Sequence, residues 1–142
     1  MADTKQDLID GLNEDLAGEY QAVIMYRTYA SLVSGPSRPE LKTFFEGEIP
    51  DELGHAAFLA DKLVALGANP TTVPAAVLDA TDNREMLENA LKGEEDTIVR
   101  YTRRAEQAEA LGEVAIKVRI EDIIVDESRH RDDLKRILKG WR

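Results

Sequence analysis

Cysteine is absent from the 142 residues. That single absence excludes disulfides, thiolate metal sites, iron–sulfur clusters and a cysteine nucleophile together. Long apolar runs are also missing, so nothing in the chain is expected to span a membrane. The N-terminus, MADTKQDLID, has no apolar segment of the kind a secretory signal needs, and a cytoplasmic location is the expectation. Basic residues are in deficit. Lys and Arg number 18 against 28 Asp and Glu, a formal net charge of −10, and no Lys/Arg-rich tail offsets it. Such a surface repels phosphate backbones, so nucleic acid is not an expected partner, whereas cations are attracted. What is present is 43% hydrophobic and 32% charged residues, a balance that reads as soluble and globular rather than disordered. The length suits one domain, residues 1–142, with a real core.

The periodicity is helical throughout, with Val and Ile scattered at helical spacing and no strand pattern in competition. Thr4 and Asp7 open a first helix that runs to about Val33, where Gly35-Pro36 breaks it. Ser37 and Glu40 form the next capping pair, with Pro39 tolerated in the first turn, and that helix runs to Leu66 and stops at Gly67. GANPTTVPAAVLDATDN, residues 67–83, reads as a long connection. Asp82 and Glu85 cap a third helix that ends near Leu111-Gly112, and a fourth runs from about Glu113 to near Gly140. Short, long, short connections predict an all-α four-helix bundle with one long crossover between helices 2 and 3. Pro50, inside the second helix, removes a backbone hydrogen bond to Glu46 and predicts a kink or bulge there, either tolerated or used to aim Glu52.

The chain repeats itself at an offset of 75. Leu12 meets Leu87, Leu16 meets Leu91, Gly18 meets Gly93, Glu19 meets Glu94 and Tyr26 meets Tyr101. Further on, Asp51-Glu52-Leu53-Gly54-His55 meets Asp126-Glu127-Ser128-Arg129-His130, with no gap needed. Helix 1 therefore resembles helix 3, and helix 2 resembles helix 4. Two similar hairpins would pack about a pseudo-twofold axis. A shared core explains the matched apolar residues, but it does not explain the matched charges.

Residues at i, i+3, i+4 and i+7 share a helix face. Glu19 lies on the face of Leu12, Leu16, Val23 and Tyr26, and Glu94 on that of Leu87, Leu91, Ile98 and Tyr101. Glu127 and His130 share a face with Ile123 and Leu134. Four carboxylates and two imidazoles thus point toward the bundle centre. A buried carboxylate without a partner costs several kcal/mol or protonates, and four together repel. Two divalent or trivalent metals would neutralise them. Mixed carboxylate and imidazole donors suit iron, manganese or zinc rather than calcium or magnesium. A lone Glu-x-x-His is weak. Here there are two, Glu52/His55 and Glu127/His130, using the only two histidines, and each motif glutamate follows an inward Glu (Glu19, Glu94) by 33 residues. One Glu from each of two helices plus Glu-x-x-His from each of the others is the known pattern of di-iron carboxylate bundles, and the sequence matches it. The plain alternative is that these are ordinary polar groups of a bundle.

At these residues the sequence resembles the ferritin-like superfamily, especially bacterioferritin and rubrerythrin, from about Leu8 to Leu138. The resemblance implies that Glu19, Glu52 and His55 ligate mainly one iron and Glu94, Glu127 and His130 mainly the other, with the bridging or terminal role of Glu52 and Glu127 open. Asp51 and Asp126 precede the motif glutamates, as in the family, and are natural acceptors for the histidine N–H of the facing helix. Tyr26 matches a tyrosine near the site in bacterioferritins. Tyr26 and Tyr101 are candidates to hydrogen-bond a ligand or relay an electron, or are core tyrosines with one satisfied hydroxyl. Glu48 lies one turn before Glu52, where the repeat has Ile123. It reads first as a rim glutamate reaching water and alternatively as an accessory iron ligand.

The departures from the family carry expectations too. Leu53 stands where bacterioferritin has its haem-ligating Met, so no haem is expected, and Thr97 stands where rubrerythrin has a further Glu. The rubredoxin-like module of rubrerythrin needs four cysteines that this chain lacks. The residues after His130, 131–142, leave no room for the fifth helix of ferritin cages, which speaks against a closed storage shell. The leading reading is a redox enzyme in which two irons oxidise Fe(II) or reduce O2 or H2O2, with an external electron donor for peroxide removal. Iron storage, which needs a cage, is the second reading. A non-catalytic metal-binding or structural bundle, which predicts no turnover, is the third. DNA protection is disfavoured, because miniferritins use a different, intersubunit ligand arrangement and often basic tails. Resemblance alone implies a homodimer or other small homo-oligomer.

Overall fold

The computed structural model describes residues 2–141. Four helices follow one another, with no strand among the described residues: α1 (Lys5–Leu32), α2 (Arg38–Ala65), α3 (Asn83–Ala110) and α4 (Val114–Lys139). The architecture is the all-α bundle with one long connection, 66–82, between α2 and α3.

Local chemistry sets the helix ends. Thr4 Oγ1 accepts from the Asp7 amide at 3.1 Å, and Asp7 Oδ2 accepts from the Thr4 amide at 2.8 Å, a complete capping box. At α3, Asp82 accepts from the Glu85 amide at 2.8 Å, but Glu85 turns instead to the amide and hydroxyl of Thr81. Ser37 makes no side-chain cap, so the sequence expectation of a box there is not met; Pro39, fixed in φ, starts the helix without it. Gly67 and Gly112 take positive φ (+84° and +75°). This lets Ala68 N–H reach Leu63 C=O at 2.9 Å and Glu113 N–H reach Ala108 C=O at 2.8 Å, closing α2 and α3. At Pro50, where a kink or bulge is expected, no break in the helix is seen. α2 runs unbroken through it, with Pro50 on the exposed side and Phe45, Glu48 and Glu52 held inside.

α1 packs on α2 and α3 on α4 as two hairpins, with α1 beside α3 and α2 beside α4. The cross-bundle bonds pair Glu19 with Tyr101 and Tyr26 with Glu94, then His55 with Asp126 and Asp51 with His130. In each pair of helices the register runs in opposite directions, so both are antiparallel. The crossover achieves this by climbing along α1. Asn13 holds Thr71 N–H (2.8 Å) and Asn69 C=O (3.3 Å), Ala17 C=O accepts from Ala75 N–H (3.0 Å), and Tyr29 donates to Leu78 C=O (2.6 Å). From Asn13 to Tyr29 that is about 24 Å of helix at 1.5 Å per residue.

The apolar core lies in two parts. One gathers Leu8, Leu12, Leu16, Leu59, Leu63, Ile116, Ile120 and Ile123, and the other Met25, Tyr29, Leu41, Phe45, Leu87 and Leu134. Each such side chain, fully buried, stabilises the bundle by roughly 1.5–3 kcal/mol. Between the two parts lies the layer that contains Glu19, Glu52 and Glu127. A second buried polar group lies elsewhere: Arg104 grips Asp15 through two N–H donors (2.8 and 3.3 Å) and donates to Gln107 at 2.5 Å. Gly11 makes room for it, since a Cβ there would stand 1.8 Å from the guanidinium. The repeat places Ala90 and Tyr29 at the matching positions, so this pair is unique to one half.

Asp15→Ala leaves Arg104 buried and unpaired, and the variant is expected to lose about 3–5 kcal/mol in denaturant unfolding. A loss below about 1 kcal/mol would show that the pair contributes nothing to the fold.

Candidate metal centre

Glu19 on α1, Glu52 and His55 on α2, Glu94 on α3, and Glu127 and His130 on α4 converge halfway along the bundle, each only 1–3% exposed. The i, i+3 spacing puts each Glu and His on the same inward stripe, and the antiparallel register brings the stripes to one level. Two groups of donor atoms result. In each, one atom per residue lies within 4.8 Å of the others: Glu19, Glu52, His55 and Glu127 in the first, and Glu52, Glu94, Glu127 and His130 in the second. Glu52 and Glu127 stand in both, which is the position of a carboxylate that could serve two ions. Glu19 and Glu94 each stand in one group only.

Both histidines turn Nδ1 inward. His55 Nδ1 lies 3.4 Å from Glu19 Oε1 and 3.3 Å from Glu127 Oε1, and His130 Nδ1 lies 3.3 Å from Glu52 Oε1 and 3.6 Å from Glu94 Oε1. Their outer nitrogens meet aspartates of the facing helix: His55 Nε2 is 2.9 Å from Asp126 Oδ2, and His130 Nε2 is 3.0 Å from Asp51 Oδ2. A proton on Nε2 given to a carboxylate leaves the lone pair on Nδ1, aimed at the centre.

The tyrosines do what helix periodicity could not show. Tyr26 of α1 donates to Glu94 Oε1 of α3 at 2.5 Å, and Tyr101 of α3 donates to Glu19 Oε1 of α1 at 2.6 Å. Each holds the glutamate of the opposite helix, not its own. Burial, then the charges of Glu94 and Glu52, push the Tyr26 phenol well above its ordinary value; burial, then Glu19 and Asp15, do the same to Tyr101.

Glu48 corrects the sequence reading. It is 8% exposed, not a rim residue in water, and its Oε2 stands 2.7 Å from His130 Nε2. The periodicity gave its face correctly but not its depth. Arg129 was not singled out by the sequence, yet it reaches both Asp51 (3.3 Å) and Asp126 (3.5 Å). The signal was there, in the Arg that replaces Gly between DELGH and DESRH.

The electrostatics are those of crowded carboxylates. Burial, then repulsion from Glu19 and Glu127, raises Glu52 well above the usual carboxyl range; burial, then contact with Glu94, raises Glu127. Burial also works against charge on Glu94, but contacts from Glu127, His130 and Tyr26 outweigh it and hold that carboxyl low. For His55, burial opposes the charged form, but Glu127, Glu19 and Asp126 prevail and push it up to about 10; His130 rises as well, against burial, under Glu48, Glu52 and Glu94. Protein groups alone therefore balance the layer only by holding protons, and cations entering it would displace them.

The decisive comparison is over nearly the whole chain: residues 9–142 match the Ferritin family, described as a ferritin-like domain. The chain belongs to the ferritin-like family. A solved structure of ferritin-like, diiron-carboxylate proteins from Bacillus anthracis str. Ames superposes with a TM-score of 0.94 at 52% identity, covering 97% of this chain and 99% of that one. Bacterioferritin of Brucella melitensis biotype 1 is 28% identical over 129 residues, 90% of this chain and 80% of that protein. A nutrient stress-induced DNA-binding protein of a Synechococcus species is 27% identical over 128 residues, 83% of this chain and 73% of that protein.

The raised phenols give a test that needs no metal. Tyr26 and Tyr101 are expected to ionise only far above pH 10 in the folded protein, so absorbance titration should show them resisting until the bundle unfolds. The linkage has a definite sign. A folded pKa above the unfolded value near 10 supports the fold fully below that pH and withdraws support as pH rises beyond it. Tyr101→Phe should remove one late-titrating group; a full set of tyrosines titrating near pH 10 in native protein would contradict the buried hydrogen bonds.

Proposed function

We propose that this ferritin-like protein binds two metal ions, iron above all, between Glu19, Glu52, His55, Glu94, Glu127 and His130, and works as a redox protein that oxidises Fe(II) or reduces H2O2 or O2. One observation carries the reading. Every one of the six residues keeps a buried polar atom with no hydrogen-bond partner: Glu19 Oε2, Glu52 Oε1, His55 Nδ1, Glu94 Oε2, Glu127 Oε1 and His130 Nδ1. A core leaves such atoms unsatisfied at a cost of about 1–3 kcal/mol each, more when charged, unless something else takes them up. Donors about 2.1 Å from one ion stand roughly 3.0–3.4 Å from each other, close to the 3.3–3.6 Å seen from the two Nδ1 atoms.

The donor set fits iron, with manganese or zinc also suited. The likeness at 52% identity to proteins described as diiron-carboxylate favours iron. Haem is not proposed, since Leu53 offers no ligand. Iron held here would supply the electrons for reducing an oxidant. The protein's own contribution is positional. Asp51 and Asp126 fix the imidazoles, Tyr26 and Tyr101 fix Glu94 and Glu19, and the shared carboxylates Glu52 and Glu127 can adjust as the charge between them changes. The two apolar clusters exclude bulk water on either side. Peroxide removal needs an external electron donor to reset the centre; oxidation of Fe(II) does not.

Storage is the second reading, favoured by the likeness to bacterioferritin. It requires a large closed assembly, whereas we propose a homodimer or other small oligomer. A contrast within the repeat supports self-association. The outward face of α2 carries Gly47, Pro50, Gly54, Ala57, Asp61 and Val64, where α4 carries Asp122, Val125, Arg129, Asp132, Arg136 and Lys139. With a single charge, Asp61, that face of α2 is one a second copy could cover at little desolvation cost in a chain of net charge −10. The same net charge argues against DNA as a partner, although one relative is named for binding it. No helix among the described residues is long and apolar enough to cross a membrane; the cytoplasm is the proposed location.

Glu127→Ala combined with His130→Ala should abolish oxidation of Fe(II) and consumption of peroxide while circular dichroism stays helical. Undiminished turnover would remove the site from the mechanism. Light scattering on the same preparations should report a small oligomer, and a cage-sized particle would move the assignment to storage.

A further inference from the structure

Resting on the reading that this layer holds two metals, we propose that Glu48 makes the two positions unequal, so that the one held by His130 fills first. The ligand set is otherwise matched across the repeat. Glu19 answers Glu94, Glu52 answers Glu127, Tyr101 answers Tyr26, and Asp126 at 2.9 Å from His55 answers Asp51 at 3.0 Å from His130. Arg129 touches both aspartates and favours neither side strongly. Glu48 is the exception. Its counterpart is Ile123, fully buried beside the other half, so His55 has one carboxylate behind it and His130 has two.

Glu48 is not spent on a hydrogen bond. Asp51 Oδ2 meets His130 Nε2 in hydrogen-bond geometry at 3.0 Å, whereas Glu48 Oε2, 2.7 Å from the same nitrogen, is a buried atom without a hydrogen-bond partner. It therefore stands as a second carboxylate at the back of the ring, beside Asp51. A second carboxylate there increases the donor strength of Nδ1 at the metal electrostatically, and carboxylates behind a ligating histidine set metal affinity on a scale of about 10–100-fold. It also attracts the ion directly. A divalent cation gains twice what a proton gains from the same charge at the same distance, so competition with protons does not cancel the preference. Glu48 is thus a positioning and affinity-setting residue, acting through His130.

Cobalt(II), titrated without oxygen into the full chain and followed by its visible absorption, tests this apart from any turnover. The wild type should bind two ions in two steps whose dissociation constants differ by about 10–100-fold. His55→Ala should keep the tight step and lose the weak one, and His130→Ala the reverse. Glu48→Ile, the residue the repeat itself uses, should bring the tight step to the level of the weak one while two ions still bind. Glu48→Gln keeps size and polarity, removes only the charge, and should narrow the gap in the same way even if the isoleucine variant folds poorly. Two equal steps in the wild type, or a gap that survives Glu48→Gln, overturns the inference and leaves the two-metal reading standing. A wild-type chain that binds no cobalt overturns that reading and the inference with it.

Discussion

Four carboxylates buried at one level of a helical bundle cannot be left to each other, and much else in this structure answers to that constraint. Burial, then the carboxylates' effect on each other, lifts Glu52 and Glu127 well above the usual carboxyl range, and the same carboxylates raise both histidines against burial. Packing cannot remove the conflict, because the layer sits between two apolar clusters and has little water to share its charge. Hydrogen bonds from Tyr26 and Tyr101 satisfy one oxygen on each of Glu94 and Glu19 and leave the other bare. Apolar residues of the same volume would make a better core. That a buried, repelling layer is kept at the same place in both halves of the repeat is the physical sign that stability is not its purpose.

The pseudo-twofold repeat explains why the layer is so well ordered. Two hairpins that present the same stripe, brought together antiparallel by the crossover, place each group opposite its equivalent. The departures from symmetry are few and are concentrated where they have consequences. Asp15 and Arg104 lock one end of the α1–α3 contact, where the other end uses Ala90 and Tyr29. The outward face of α2 carries one charge, Asp61, where that of α4 carries several. Glu48 presses on one histidine only.

Most of the helices and the six converging residues were legible in the sequence, because both depend on short-range rules. Caps such as Thr4–Asp7 and stops such as Gly67 act within a turn, and Glu-x-x-His is a same-face spacing whatever surrounds it. What escaped depends on neighbours far away in the chain. The crossed bonds of Tyr26 and Tyr101 need the antiparallel register of α1 and α3, which periodicity within one helix does not contain. Glu48 was placed on the right face but at the wrong depth, because depth is set by α4 packing over it. Pro50 was read from local backbone rules, and α2 nonetheless continues as helix on both sides of it. Ser37 had the right residue type for a cap but not the geometry.

The central claim is that this layer exists to hold two metal ions. Its most direct test is an anaerobic titration of metal-depleted protein with Fe(II), followed by exposure to O2 or H2O2, reading the near-ultraviolet charge-transfer absorption of a ferric pair. The account predicts a break at two irons per chain and the appearance of that band after oxidation. A titration with no stoichiometric break and no band would contradict it, and would assign the repeated glutamates and histidines to the fold alone.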